Sequence, residues 1–241
     1  MRIAKICKRL TALILLLFSI SVSAQKTLSV AVNVGPPWAY YDEERGVVGI
    51  DVDIISSISE RLGYQPDFHL LVYNRLIEDF RNGKYDIASP AAFDSAIGFQ
   101  TSPYLPFEDV AVTLSSRNMT IDTIDDLAGK SIVTYQTARY VLGETFANII
   151  ADDHYLEIAD REAQLKLLAN ERTDVVIGER RLLTYIMRQY YPDIKLAIHP
   201  IFEARPYGAI IKDEALRDAF ETELNNMRAK GELKNIYRRW P

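Results

Sequence analysis

Apolar positions from residue 27 onward follow two alternating periods. Leu28, Val30 and Val32 recur at every second place, which predicts a first strand over 27–33. Ile54, Ile55, Ile58 and Leu62 recur at three- and four-residue steps, which predicts a helix ending at Gly63. Between them, Gly35-Pro36-Pro37-Trp38-Ala39-Tyr40-Tyr41 carries two prolines that cannot donate to a ladder, so it reads as a rigid loop bearing three aromatics. Asp51 and Asp53 lie where the helix begins and read as capping residues. A second strand is predicted over 68–72.

One pattern is then written twice. Residues 75–89 place an amphipathic stretch before the turn Asn82-Gly83, Asp86 and the apolar run Ile87-Ala88-Ser89. Residues 163–178 repeat it, with Asn170, Asp174 and Val175-Val176-Ile177-Gly178 in the same order. Each copy predicts a helix feeding a strand covered on both faces, and two such units imply two lobes with a cleft between them. The order strand, helix, strand, helix, strand belongs to an open parallel sheet, whose ligands sit beyond the carboxyl ends of the strands. Trp38, Tyr73 and Ser89 lie at those ends.

Residues 103–109, leading into 110–114, predict an extended crossover into the second lobe. There a strand is expected over 131–135, a helix from about Thr137, and strands over 174–178 and 195–198. A return crossover falls around 205–211, before helices over 214–227 and 232–237. Two crossings make a hinge, and hinge closure can enclose a small solute.

The amino terminus changes where this fold is expected to work. Arg2, Lys5, Lys8 and Arg9 precede an apolar stretch from Leu10 to Phe18, and small residues follow up to Ala24, the pattern of a cleaved secretion signal over 1–24. The apolar core is well short of the ~20 residues that span a bilayer. The single cysteine, Cys7, precedes that core, so the mature chain is expected to carry neither thiol nor lipid anchor. Losing the signal takes Lys plus Arg from 28 to 24 against 33 Asp plus Glu, a formal charge of −9, which argues against nucleic acid and anionic membrane as partners. His69, His154 and His199 lack metal-ligand spacing, and neither a phosphate loop nor a nucleophile elbow occurs, so no cofactor and no metal are expected.

Six pieces in order carry a resemblance over the whole mature length. They are Pro36-Pro37-Trp38, Gly49-Ile50-Asp51-Val52-Asp53, residues 76–86, Ser102-Pro103-Tyr104, Asp125-Asp126-Leu127-Ala128-Gly129-Lys130, and residues 174–179. With these the chain resembles the bacterial extracellular solute-binding proteins of family 3, which include the polar amino-acid binders of ABC uptake systems. The resemblance implies an α/β, two-lobed, periplasmic-binding-protein-like fold of type II, with two crossover strands as hinge. Lobe 1 is expected from 25–112 and 206–241, and lobe 2 from 113–205.

The resemblance also implies site residues. An aromatic near the Pro-Pro motif packs on the ligand, a position matched by Trp38 with Tyr40, Tyr41 and Tyr73 as neighbours. A carboxylate at the end of the second repeat strand takes the ligand's ammonium, a position matched by Glu179. The family's arginine after the first repeat strand, which grips a carboxylate, has no counterpart between Asp86 and Pro103. Arg139, after Gln136-Thr137-Ala138 at a predicted helix start, either substitutes for it beside the free N–H groups around Thr137 or is a solvated surface arginine. Arg180 and Arg181 adjoin Glu179 and are weaker substitutes. Glu179 can also be read as a helix-start acid, and Trp38 as core packing.

The expected function is capture of a small polar or zwitterionic solute, amino-acid-like or an amine, by a periplasmic monomer serving an ABC importer. A ligand-binding partner of a membrane sensor is the alternative. An enzyme on the same fold, a dehydratase with Glu179 as general acid or base, is a further one.

Overall fold

The computed structural model describes residues 26–94 and 96–240; the expected signal over 1–24 lies outside the described residues. The first part of the chain forms β1 (Lys26–Asn33), β2 (Tyr40–Asp42), β3 (Gly46–Val48), α1 (Ile50–Arg61), β4 (Tyr64–Leu71), α2 (Tyr73–Arg81), β5 (Ile87–Ser89) and β6 (Phe99–Gln100). The middle forms β7 (Asp109–Leu114), β8 (Ile132–Thr134), α3 (Ala138–Val141), α4 (Glu144–Ile149), β9 (Tyr155–Glu157), α5 (Arg161–Ala169), β10 (Val175–Glu179), α6 (Arg180–Tyr190) and β11 (Leu196–His199). The chain closes with β12 (Ile210–Ile211), α7 (Glu214–Ala229) and α8 (Glu232–Arg239).

Two five-stranded sheets result, in the orders β4-β1-β5-β12-β6 and β11-β7-β10-β8-β9. Within each, the strands joined through helices pair in parallel, as a helical crossover allows: β1 with β4 and β5, and β8 with β9 and β10. β12 and β7, which arrive from the opposite sheet, pair antiparallel to their neighbours. Side-chain alternation gives each sheet two buried faces. In the first, Ala31, Ala88 and Ile210 pack under Leu76 and Phe80 of α2, while Val30, Val32 and Ile87 face Ile54 and Ile58 of α1 and Phe220 of α7. In the second, Ala111, Val175 and Ile177 pack with Leu142 and Phe146, and Val112 and Val176 with Leu165 and Leu183. The fold is therefore two-lobed α/β.

The two crossovers run side by side. Leu105 and Tyr207 exchange backbone hydrogen bonds of 2.8 and 2.9 Å, and Arg205 N–H donates to the Phe107 carbonyl at 3.0 Å. Chain passing between the lobes is thus itself a paired ribbon.

The repeated aspartates have one geometric role. Asp86 Oδ2 accepts from the Ser29 N–H at 2.8 Å and the Ser29 hydroxyl at 2.7 Å. Asp174 Oδ2 accepts from the Ser131 N–H and hydroxyl, both at 2.9 Å. Each carboxylate ties the end of its helix–turn to a neighbouring parallel strand, within β1 at Ser29 and just ahead of β8 at Ser131. Hydrogen bonds to an ionised acceptor are the strong kind, so Asp86→Ala and Asp174→Ala are each expected to cost about 2 kcal/mol in denaturant unfolding. A loss below about 0.5 kcal/mol at both positions would remove this account of the repeat.

Three local expectations differ. Tyr40 and Tyr41, expected at the end of the loop over 35–41, belong instead to a hairpin over 40–48, because Asp42 Oδ1 accepts from the N–H groups of Glu44 and Arg45 and the tyrosines pair with Val48 and Val47. β4 begins at Tyr64, four residues before the predicted strand; Pro66 is tolerated because β4 is an edge strand. Asp51 and Asp53 do not cap α1, whose N-cap Gly49 makes no side-chain bond. Asp51 instead accepts from the Tyr104 hydroxyl at 2.9 Å, and Asp53 from the Trp240 indole at 2.9 Å.

Candidate functional site

The loop after β1 turns tightly: Gly35 N–H donates to the Ala39 carbonyl at 2.7 Å, and Trp38 N–H to the Gly35 carbonyl at 2.9 Å. This turn drives the Trp38 ring inward, where it is 4% exposed. Its centroid lies 4.6 Å from that of Phe107 on the outward crossover, and the Arg181 guanidinium carbon lies 5.9 Å from its centroid. The indole N–H reaches across between the lobes to Glu179 Oε2 at 2.7 Å.

Glu179 ends β10 and is the N-cap of α6, its Oε2 also accepting from the Leu182 N–H at 2.8 Å. The helix-start role read from the sequence is therefore met, by a carboxylate that also reaches the other lobe. Burial pushes its carboxyl up to about 7, against the downward pull of the Trp38 and Leu182 N–H groups. Asp109 lies directly opposite, because Glu179 and Asp109 are register partners across β10 and β7. Burial raises the Asp109 carboxyl too, although its Oδ2 accepts from the Tyr135 hydroxyl at 2.7 Å and the charges of Arg161 and Arg205 favour ionisation. On the floor, burial pushes Asp51 up to about 6 while Ser89 and Tyr104 hydroxyls hold it.

These groups enclose a cavity of about 90 Å³ between the lobes. One wall holds Trp38, Asp51 and Tyr73; the crossovers add Phe107, Asp109 and Tyr207; the second lobe adds Tyr135, Gln136, Arg161 and Glu179. Buried carboxylates facing a guanidinium in one small space suit a solute carrying both signs of charge.

Trp38, Tyr73 and Glu179 are thus brought together, as expected. The Tyr73 hydroxyl accepts from the Ala92 N–H at 3.1 Å. The other four do not line this cavity. Tyr40 lies in the hairpin, its ring 5.9 Å from Tyr185 and 6.0 Å from Trp240. Ser89 is fully buried behind the wall, sharing a hydrogen bond of 3.1 Å with Tyr104. Thr137 and Arg139 line a separate surface hollow with Tyr140 and Gly143. The Thr137 N–H goes to Glu157 at 2.7 Å, and the Arg139 guanidinium sits 2.5 Å from Asp152 and over the Tyr155 ring. Arg139 is turned outward because Asp152 and Tyr155 lie on the outer side of the lobe and hold it there. Arg180 is likewise engaged, by Glu108 at 2.8 Å.

Sequence reasoning passed over Arg161. It is the first residue of α5, the end of a helix whose dipole disfavours a cation. That misplaced charge was the available signal. Its Nη1 is buried without a hydrogen-bond partner among the described residues, its guanidinium lies 5.1 Å from the Tyr135 ring centroid, and burial lowers it to about 10.

Comparison with known proteins places the chain in a family. The family of bacterial extracellular solute-binding proteins, family 3, matches residues 28–241. The chain belongs to that family. Among relatives, the probable amino-acid-binding protein YxeM of Bacillus subtilis is 27% identical over 214 residues, covering 83% of this chain and 78% of its own length. The arginine-binding periplasmic protein of Mannheimia haemolytica is 22% identical over 254 residues, covering 95% and 97%. A solved histidine kinase sensor domain with similarity to periplasmic binding proteins shares the fold with a TM-score of 0.78 at 19% identity, covering 90% of this chain and 96% of that one. The family 3 chain described here is thus a solute-binding protein of two-lobed α/β architecture. No helix among its described residues is long and apolar enough to cross a membrane. No group of three or more His, Cys, Asp or Glu among them is placed to hold a metal ion.

Proposed function

We propose that this protein binds a small zwitterionic solute, amino-acid-like, between its lobes in the periplasm, and presents it unchanged to an ABC importer. The observation that carries this reading is the interlobe cavity, which Glu179, Asp109 and Asp51 line together with Arg161. Relatives named for amino-acid and arginine binding favour the same solute class. Trp38, Tyr73 and Glu179 contact the solute or hold the walls that do. The signal over 1–24 is removed on export, and the mature chain works as a monomer without catalysis.

The lobes move on the paired crossovers. The pairing of β7 along its length within the second sheet supports a division just before Asp109, with the return near 206. Closure then brings the Glu179 side onto the Trp38 side.

Calorimetry of the mature chain with standard amino acids, the matching amines and the matching acids tests the reading. At least one member is expected to bind, to lower the radius of gyration in solution scattering, and to be recovered unaltered by mass analysis. No binding by any member, or turnover of the one bound, would overturn it. The likeness to a sensor domain favours signalling as the second output. Uptake of labelled solute that is lost on deleting the protein supports transport; unchanged uptake with a lost transcriptional response supports signalling.

A further inference from the structure

We infer that Arg161 and Asp109 are the pair that holds the two charged ends of the solute, Arg161 Nη1 taking a carboxylate and Asp109 Oδ1 an ammonium that carries N–H groups. The inference rests on the reading of the cavity as a solute site and narrows its ligand to a compact amino-carboxylate.

Four observations support the pairing. Arg161 Nη1 is sealed from solvent with no acceptor among the described residues, a costly arrangement for a charged donor unless something fills it. Asp109 has one oxygen engaged by the Tyr135 hydroxyl at 2.7 Å, and no described residue hydrogen-bonds the other. Both side chains line the same cavity, and each charge favours the ionised form of the other. Tyr135 holds the geometry, with its hydroxyl on Asp109 and its ring against the Arg161 guanidinium. Glu179 has its Oε2 engaged by Trp38 and Leu182 and stands in the wall beside the pair; Asp109, not Glu179, is the carboxylate on whose ionisation the Arg161 charge acts.

A carboxylate and an ammonium a few bonds apart neutralise both heads at once. A solute with only one of them leaves the other head buried and uncompensated, so it should bind far more weakly. The second lobe in this way supplies the cation that the segment between Asp86 and Pro103 lacks.

The test uses the mature chain, calorimetry, and matched triplets: each standard amino acid, the amine left when its carboxylate is removed, and the acid left when its ammonium is removed. The amino acid that binds wild type should lose about a hundredfold in affinity in Arg161→Gln, while its matched amine binds wild type and Arg161→Gln alike within about threefold. Asp109→Asn should weaken the amino acid comparably and the matched acid little. Thermal unfolding without ligand reports folding, and Arg161→Gln, which removes a donor whose Nη1 has no acceptor among the described residues, should melt close to wild type. Undiminished amino-acid affinity in Arg161→Gln overturns the pair. So does an amine or acid bound by wild type when every amino acid is rejected, which would leave solute binding itself intact. Silence across all three sets would overturn both the pair and the solute reading.

Discussion

Gly49→Ala is expected to remove about 3 kcal/mol or more of stability, seen as a lower urea midpoint at unchanged slope, and to weaken solute binding with it. Gly49 has φ 145° and ψ 176°, a region that only glycine adopts readily. A Cβ there would stand 2.1 Å from the Trp38 carbonyl oxygen, 2.5 Å from its carbon and 2.8 Å from the Ala39 nitrogen. These are backbone atoms, so no rotamer change relieves the clash. The neighbouring bonds also depend on this approach: Ile50 N–H donates to the Pro37 carbonyl at 2.9 Å and Asp51 N–H to the Trp38 carbonyl at 3.0 Å. Moving Gly49 therefore moves the loop that carries Trp38, a wall of the cavity. Gly63 is the internal control: it has φ 80° and nothing within 4 Å of the added carbon, so Gly63→Ala should cost only about 1–2 kcal/mol. Equal losses at the two positions would show that backbone conformation alone, and not the close approach, governs Gly49.

Ligand-free protein is expected to be less stable at pH 8 than at pH 5, and Glu179→Gln is expected to shrink that difference by about 2 kcal/mol. Burial raises Glu179 from its ordinary 4.5 to about 7 and Asp51 from 3.8 to about 6, and Asp109 is raised as well. A group with a raised folded value binds more protons in the native state than in the unfolded one across that interval. Relative to the charged form, its stabilisation is complete below about pH 4 and is lost as pH rises through about 7 for Glu179. Carboxyls such as Asp79, Asp126, Asp174 and Glu221 lie below their ordinary values and act in the opposite sense, losing stability as pH falls below that range. The optimum should therefore sit near pH 5. Denaturant titrations at the two pH values, wild type against Glu179→Gln, measure the difference; an unchanged pH dependence in the variant would show that Glu179 does not titrate in this window.

An arginine in the first turn of a helix runs against the helix dipole, and Arg161 shows how such an irregularity gains its reason from the fold. Asp160 partly offsets it as the N-cap of α5, accepting from Glu162 and Ala163 N–H groups. Arg139 stood at an equally plausible helix start, in a stretch that the structure breaks into the short α3 and α4. Nothing in its local sequence distinguishes a cleft arginine from one turned to Asp152, since residues 139 and 152 come together only through the fold of the second lobe.

By itself the sequence determined the alternation of strands and helices, the twin helix–turn–aspartate–strand units, the placement of Trp38 and Glu179 at strand ends, and the family. Those features are short-range: a period of two or 3.6 residues, a proline, or an aspartate immediately before a strand imposes its conformation through neighbouring atoms. Tertiary structure alone decided that β7 and β12 arrive antiparallel, that the crossovers pair at Leu105 and Tyr207, and that Trp38 meets Glu179. It also decided that Arg161 rather than Arg139 faces the cavity and that its carboxylates titrate high. Those outcomes depend on which side chains, distant in sequence, share one water-poor space, and burial and charge proximity are properties of that space rather than of any local run of residues.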